Sequence, residues 1–141
     1  MKKLISFSLL LVIILSLASC VGIGGITEDD CVGTWVSDEH SRYDNYHKET
    51  QSFITTIEFF EAGTGTLKTV GSKSCRSVKK GETFFGYNFK WSLKDDTIVI
   101  ESDDNILSFK FSDEDDTKST LRDLTYREDG YISEFFHKEN K

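Results

Sequence analysis

Between Phe85 and Leu93 the chain alternates more strictly than anywhere else. Phe85, Tyr87, Phe89, Trp91 and Leu93 share one parity, and Gly86, Asn88, Lys90 and Ser92 share the other. Successive side chains of a strand point to opposite faces, whereas a helix would scatter this apolar set around its axis. The stretch therefore predicts a strand with one large apolar face. A face of that size must be covered, and a sheet that curls onto itself supplies the cover.

The same period of two recurs along the chain. Strands are predicted at Val32–Val36, Ser52–Glu61, Thr64–Val70, Phe85–Leu93, Thr97–Glu101, Ile106–Phe111, Thr120–Arg127 and Tyr131–Lys138. The seventh alternates poorly, as a bulged strand would. Glu61-Ala62-Gly63, Lys94-Asp95-Asp96, Ser102–Asn105 and Asp129-Gly130 read as turns. Ser37–Thr50 reads as a long polar loop, Gly71–Glu82 as a basic one and Ser112–Lys118 as an acidic one. No segment has a clear helical period, and proline is absent from the chain. Eight short strands joined mostly by tight turns predict an antiparallel meander, and closing it into an up-and-down barrel removes both sticky edges. The fold class is thus all-β, an eight-stranded antiparallel barrel. The inward candidates are bulky: Phe53, Ile57, Phe59, Phe85, Phe89, Trp91, Phe109 and Phe111. They favour a filled core over a large lumen.

The first residues do not belong to this pattern. Lys2 and Lys3 precede an apolar run, Leu4–Leu17, that is short for a membrane span. Leu17-Ala18-Ser19-Cys20 follows, and it resembles a bacterial lipobox. The resemblance implies that residues 1–19 are a signal peptide, that Cys20 receives a diacylglyceryl group, and that its new amine is acylated. Each buried methylene contributes ~0.8 kcal/mol, so several acyl chains make a durable membrane anchor. Val21 stands where enteric lipoproteins retained in the inner membrane carry Asp, which leans the expected location in the cell envelope towards the outer membrane. Residues 20–30, with Gly22, Gly24, Gly25, Glu28, Asp29 and Asp30, read as a flexible, lipidated tether. The barrel domain is expected over 31–141. The chain carries a formal charge of −7, and losing Lys2 and Lys3 makes it more acidic still. Phosphate backbones are repelled by such a surface, so nucleic acid is excluded as a partner.

Three short stretches, in order, resemble the small lipocalin-like (calycin) domains of bacterial envelope lipoproteins. Gly33-Thr34-Trp35 is similar to the lipocalin G-x-W of the first strand. Phe59-Phe60-Glu61-Ala62-Gly63-Thr64-Gly65 matches an aromatic-turn-GTG hairpin, and Phe135-Phe136-His137-Lys138 resembles the closing strand. The resemblance covers about all of residues 31 to 138. It implies a barrel with Trp35 as a plug at one end and a late basic residue across that ring, for which Arg127 and Lys138 are the candidates.

Chemistry-bearing residues are sparse. His40 and His47 sit near Asp38, Glu39 and Asp44, but their spacing fits no zinc or calcium pattern. Asp113-Glu114-Asp115-Asp116 fails as an EF-hand loop, because Lys118 and Leu124 stand where Gly and Glu are required. No metal or cofactor is expected. Lys73, Arg76, Lys79 and Lys80 could meet an anionic glycan, a partner or lipid headgroups, but read better as an ordinary exposed loop. There is no nucleophile–base motif, so the chain does not read as an enzyme. Cys31 and Cys75 form an even pair in an oxidising compartment. A bridge is favoured, with the loop of Cys75 returning over the barrel end beside Cys31; two free thiols are the alternative.

The expected function is a non-catalytic binding module for a small apolar or amphipathic ligand, with Tyr87, Phe89 and Trp91 as ligand-facing residues. Tyr87 and Trp91 carry polar handles, which suits a wet mouth of the lumen. The alternative is a protein-interaction module, a hydrolase inhibitor or a subunit of an envelope complex. It would act through loops and through an outer surface carrying Ile54, Phe60 and Phe84.

Overall fold

The structure, a computed structural model, describes residues 25–112, 117–127 and 130–140. Cys20 and the lipobox, the acidic run Asp113–Asp116, and Asp129 of the expected Asp129-Gly130 turn lie outside the described residues.

Among the described residues the elements are one helical turn, α1 (Glu28–Cys31), and the strands β1 (Gly33–Ser37), β2 (His40–Asp44), β3 (Glu49–Phe60), β4 (Thr64–Gly71), β5 (Thr83–Lys94), β6 (Thr97–Glu101), β7 (Ile106–Phe111), β8 (Thr120–Asp123) and β9 (Phe135–Lys138). They form one antiparallel sheet in the order β1-β9-β8-β7-β6-β5-β4-β3-β2. Trp35 pairs with Ile57 of β3 on one side and with Lys138 of β9 on the other, and this double pairing of β1 closes an eight-stranded barrel. The all-β closed architecture is the one expected.

The ninth strand is a correction. Ser37–Thr50 was expected to be a loop, but β2 forms within it and pairs with the first half of β3, His40 opposite Phe53 and Asp44 opposite Glu49. It continues β1 after a break at Asp38 and Glu39. At the break the Thr55 N–H donates to the Ser37 Oγ at 2.9 Å, so a side chain fills the gap in the ladder. β2 escapes a hydropathy reading because its partly buried parity is His40, Arg42 and Asp44. The last two predicted strands are shorter than expected: β8 stops at Asp123 and β9 starts at Phe135, with a long connection between them.

The barrel has a packed half and a looser half. In the packed half Trp35, Ile57, Phe59, Ile98, Ile100 and Phe109 are fully buried or nearly so. Strand alternation places them inward, as it does Phe89 and Trp91. The GTG hairpin closes this half. Gly63 takes φ 72° in the three-residue turn between β3 and β4, a left-handed conformation that glycine adopts without strain. Gly65 lies under the Phe89 ring, and a Cβ there would collide with that ring and with the Glu58 carbonyl.

α1 plugs the same end. The Thr27 N–H donates to the Asp30 carboxylate at 2.8 Å, and the Lys118 ammonium reaches that carboxylate at 2.8 Å and the Gly25 carbonyl at 3.1 Å. Residues 25–30, expected as tether, therefore belong to the folded domain. The lysine-paired Asp30 carboxyl is held below the usual aspartate range.

Candidate functional site

The plugged end is built around Trp35. Trp35 is fully buried, its Nε1–H donates to the Cys31 carbonyl at 2.8 Å, and its ring meets Phe111 edge-on at 5.8 Å. Lys138 supplies the late basic residue, its Nζ 5.3 Å from the centre of the Trp35 ring while donating to the Asp30 carbonyl at 2.7 Å. Arg127 lies instead in the β8–β9 connection.

Phe89 and Trp91 belong to this closed half. The Trp91 Nε1–H donates to the Phe60 and Thr64 carbonyls at 3.1 and 3.0 Å, and its ring packs edge-on against Phe59. Its polar handle is therefore satisfied by the β3–β4 turn rather than by a wet mouth. Tyr87, one step further along β5, faces the looser half. Burial, then the charge of Asp123, pushes its hydroxyl up to about 12.

The looser half is where the barrel interior turns polar. Thr55 and Thr69 are buried and share a hydrogen bond of 2.7 Å across β3 and β4. Asp123, on the same parity of β8 as the buried Leu121, is only 4% exposed. Burial pushes its carboxyl above the ordinary aspartate range, against the hydrogen bonds from Thr125. Those bonds, from the Thr125 N–H at 2.7 Å and its hydroxyl at 2.5 Å, both end on Oδ1. Among the described residues no donor reaches Oδ2.

Two loops roof this half. The β4–β5 loop buries Val78 against Gly71 and is fastened by Glu49, whose carboxylate accepts the Arg76 and Ser77 N–H groups and the Ser77 hydroxyl. Its basic character is partly spent at home, since Lys73 pairs with Glu39 at 2.6 Å. The β8–β9 connection is held by aromatic contacts. The Tyr131 ring lies 4.8 Å from Phe84 and 5.7 Å from Phe53, and the Arg42 guanidinium sits 4.0 Å from its centre. His40 Nε2 donates to the Gly130 carbonyl at 2.6 Å; a carbonyl only accepts, so that nitrogen carries the proton. Phe84 was expected to face outward, and it is indeed exposed, although its ring also reaches over the barrel end. The register shifts between Thr69 and Val70, where Thr69 pairs with Phe85 and Val70 with Thr83. Phe84 is the extra residue of that bulge, and its ring meets Phe53 of the interior.

Beneath the β8–β9 connection lies a cleft of about 370 Å³. Leu107 and Ile132 are apolar residues of its lining, Asp123 is its buried acid, and Tyr126, Arg127 and Tyr131 also border it. A second hollow of about 380 Å³ opens beside Tyr87 and the β6–β7 turn. A groove of about 610 Å³ runs over residues of the outer parity, including Phe60, Thr64, Thr66, Asn88 and Lys90.

The expected Cys31–Cys75 bridge is absent; both are free thiols. Cys31 precedes Gly33, which pairs with Phe59 at one end of β3. Cys75 sits in the loop bound to Glu49 at the other end. A strand of that length separates them by on the order of 30 Å, far beyond the ~7 Å a disulfide spans. The loop does return over a barrel end, but over the opposite one. The Cys31 thiol is pushed up to about 11 by burial and by the Asp30 charge.

Of the remaining candidates, His47 Nδ1 meets Asp44 at 2.6 Å, and the exposed His137 meets Asp38 at 3.1 Å. No group of three metal-ligating side chains occurs among the described residues. Asp123, Arg42 and Tyr131 are the site residues that sequence reading passed over. A signal for Asp123 was present: it shares the parity of Leu121 in a predicted strand, and an acid on that parity is unusual.

Fold and site together define a closed β-barrel with one end plugged by Trp35 and the other roofed by loops over a cleft with a buried carboxylate. No family model, no curated protein and no solved structure matches the chain.

Proposed function

We propose that this protein is a lipid-anchored binding module of the bacterial cell envelope, non-catalytic, which captures a small apolar or amphipathic ligand at the loop-roofed end of its barrel. The observation that carries this reading is the cleft of about 370 Å³ under the β8–β9 connection. Its size lies at the lower end of small-molecule sites, and it combines apolar walls with few, placed polar groups. The plugged half supplies a rigid base. The anchor rests on the lipobox resemblance of Leu17-Ala18-Ser19-Cys20, and the outer membrane on Val21.

Titration with the fluorescent probe N-phenyl-1-naphthylamine tests the binding reading. Saturable binding at one site, lost when Leu107→Trp fills the cleft, is the expected result. Absence of saturable binding, with a bare protein mass after gentle extraction from the native envelope, would sink it. The outer groove beside Phe60, which is 40% exposed, favours a second reading, an interaction module for a protein partner. Co-purification of a stoichiometric partner that Phe60→Asp abolishes would select that reading instead.

A further inference from the structure

We infer that the cleft under the β8–β9 connection is a site for an organic ammonium group carried on an apolar body, with Asp123 Oδ2 as its acceptor. The inference rests on the binding reading above and adds the ligand's chemical class.

Asp123 is 4% exposed and lines the cleft. Its own neighbours use half of its accepting capacity: Thr125 holds Oδ1 twice, and no described residue donates to Oδ2. A carboxylate so placed is costly unless a donor or a positive charge meets it. Among the described residues the charge that shifts it is of the wrong sign, since Glu134 opposes its ionisation. Arg122 does not answer it, because its guanidinium pairs with Glu134 at 2.9 Å. Arg42 is spent on the Tyr131 ring. Arg127 lines the cleft but is exposed.

A ligand ammonium would donate to Oδ2 in a charge-assisted hydrogen bond and neutralise the buried charge. The rest of the cleft suits what such a cation carries. Leu107 and Ile132 offer apolar surface, and the Tyr126 and Tyr131 rings border the same space, where aromatic faces favour cations. A metal ion is a poorer occupant, since the described lining offers one carboxylate, too small a ligand set.

The test compares 4-phenylbutylamine with 4-phenylbutanol, each displacing N-phenyl-1-naphthylamine from the full mature protein and its Asp123→Asn variant. Asparagine keeps an oxygen for Thr125 and removes the charge, so the fold should survive, which circular dichroism checks. The amine should bind wild type roughly 10- to 100-fold more tightly than the alcohol, and Asp123→Asn should erase that preference. Equal binding of amine and alcohol to wild type overturns the ammonium assignment and leaves the binding reading standing. A preference that persists in Asp123→Asn overturns the role of Asp123. If no probe binds wild type, both readings fall together. Should Asp123→Asn fail to fold, Leu107→Trp stands in: an amine preference that survives the filled cleft places the cation elsewhere and overturns the inference.

Discussion

Replacing Trp35 tests the plugged end quantitatively. The side chain is fully buried, donates to the Cys31 carbonyl at 2.8 Å, meets Phe111 at 5.8 Å and lies under the Lys138 ammonium. Trp35→Ala removes the ring, leaves a cavity and should cost ~3–5 kcal/mol. Trp35→Phe keeps a ring and loses chiefly the N–H bond, which points to about 1–3 kcal/mol. Urea unfolding followed by circular dichroism measures both. Hydrogen exchange supplies a local check, because α1 is tied to the barrel through the Cys31 carbonyl. Its amides should exchange faster in Trp35→Phe, while β5–β7 change little. A cost under ~1 kcal/mol for Trp35→Ala would mean that the plug does not support the barrel. A double-mutant cycle with Lys138→Met should give a coupling of roughly 0.5–1 kcal/mol from the ring–ammonium contact; a value near zero would leave the lysine as no more than a donor to Asp30.

The Asp123 carboxyl is raised by burial, so the native state holds its proton more tightly than the unfolded chain does. Its contribution is greatest at acid pH and is lost as pH rises through the raised value; Asp123→Asn should therefore gain stability relative to wild type on crossing that window, and equal curves at all pH would refute the burial argument. Glu49 behaves oppositely, held down to about 2 chiefly by the Ser77 hydroxyl; its contribution is present above an unfolded value of 4.5 and fades as pH falls from there to about 2, a dependence that Glu49→Gln should flatten. Gly65→Ala should destabilise by ~1–3 kcal/mol, because its methyl group meets the Phe89 ring and the Glu58 carbonyl; an unchanged urea midpoint would show that Phe89 is free to move. Under native conditions the half-exposed Cys75 should react with a thiol reagent while Cys31 waits for unfolding; one disulfide found in the denatured protein would contradict the separation of the two ends.

The alternating stretches made the strands legible, and β6 and β7 fall where the period of two put them. Local chemistry also sufficed for the GTG hairpin, since a left-handed turn residue and a strand position without a Cβ both call for glycine. Trp35 and Lys138 were legible only as a resemblance, because their contact joins the first strand to the last. The remainder was decided by tertiary structure. β2 is a strand because β3 overhangs β1 and offers it an unpaired edge, whereas its own residues are polar. Phe84 stays exposed, but a bulge breaks the parity on which sequence reading relies and lets its ring reach Phe53. Trp91 proved to be sealed and Asp123 to be the buried acid of the cleft. A strand's period says which side chains share a face; the register of its neighbours and the loops above them decide which end of that face stays open.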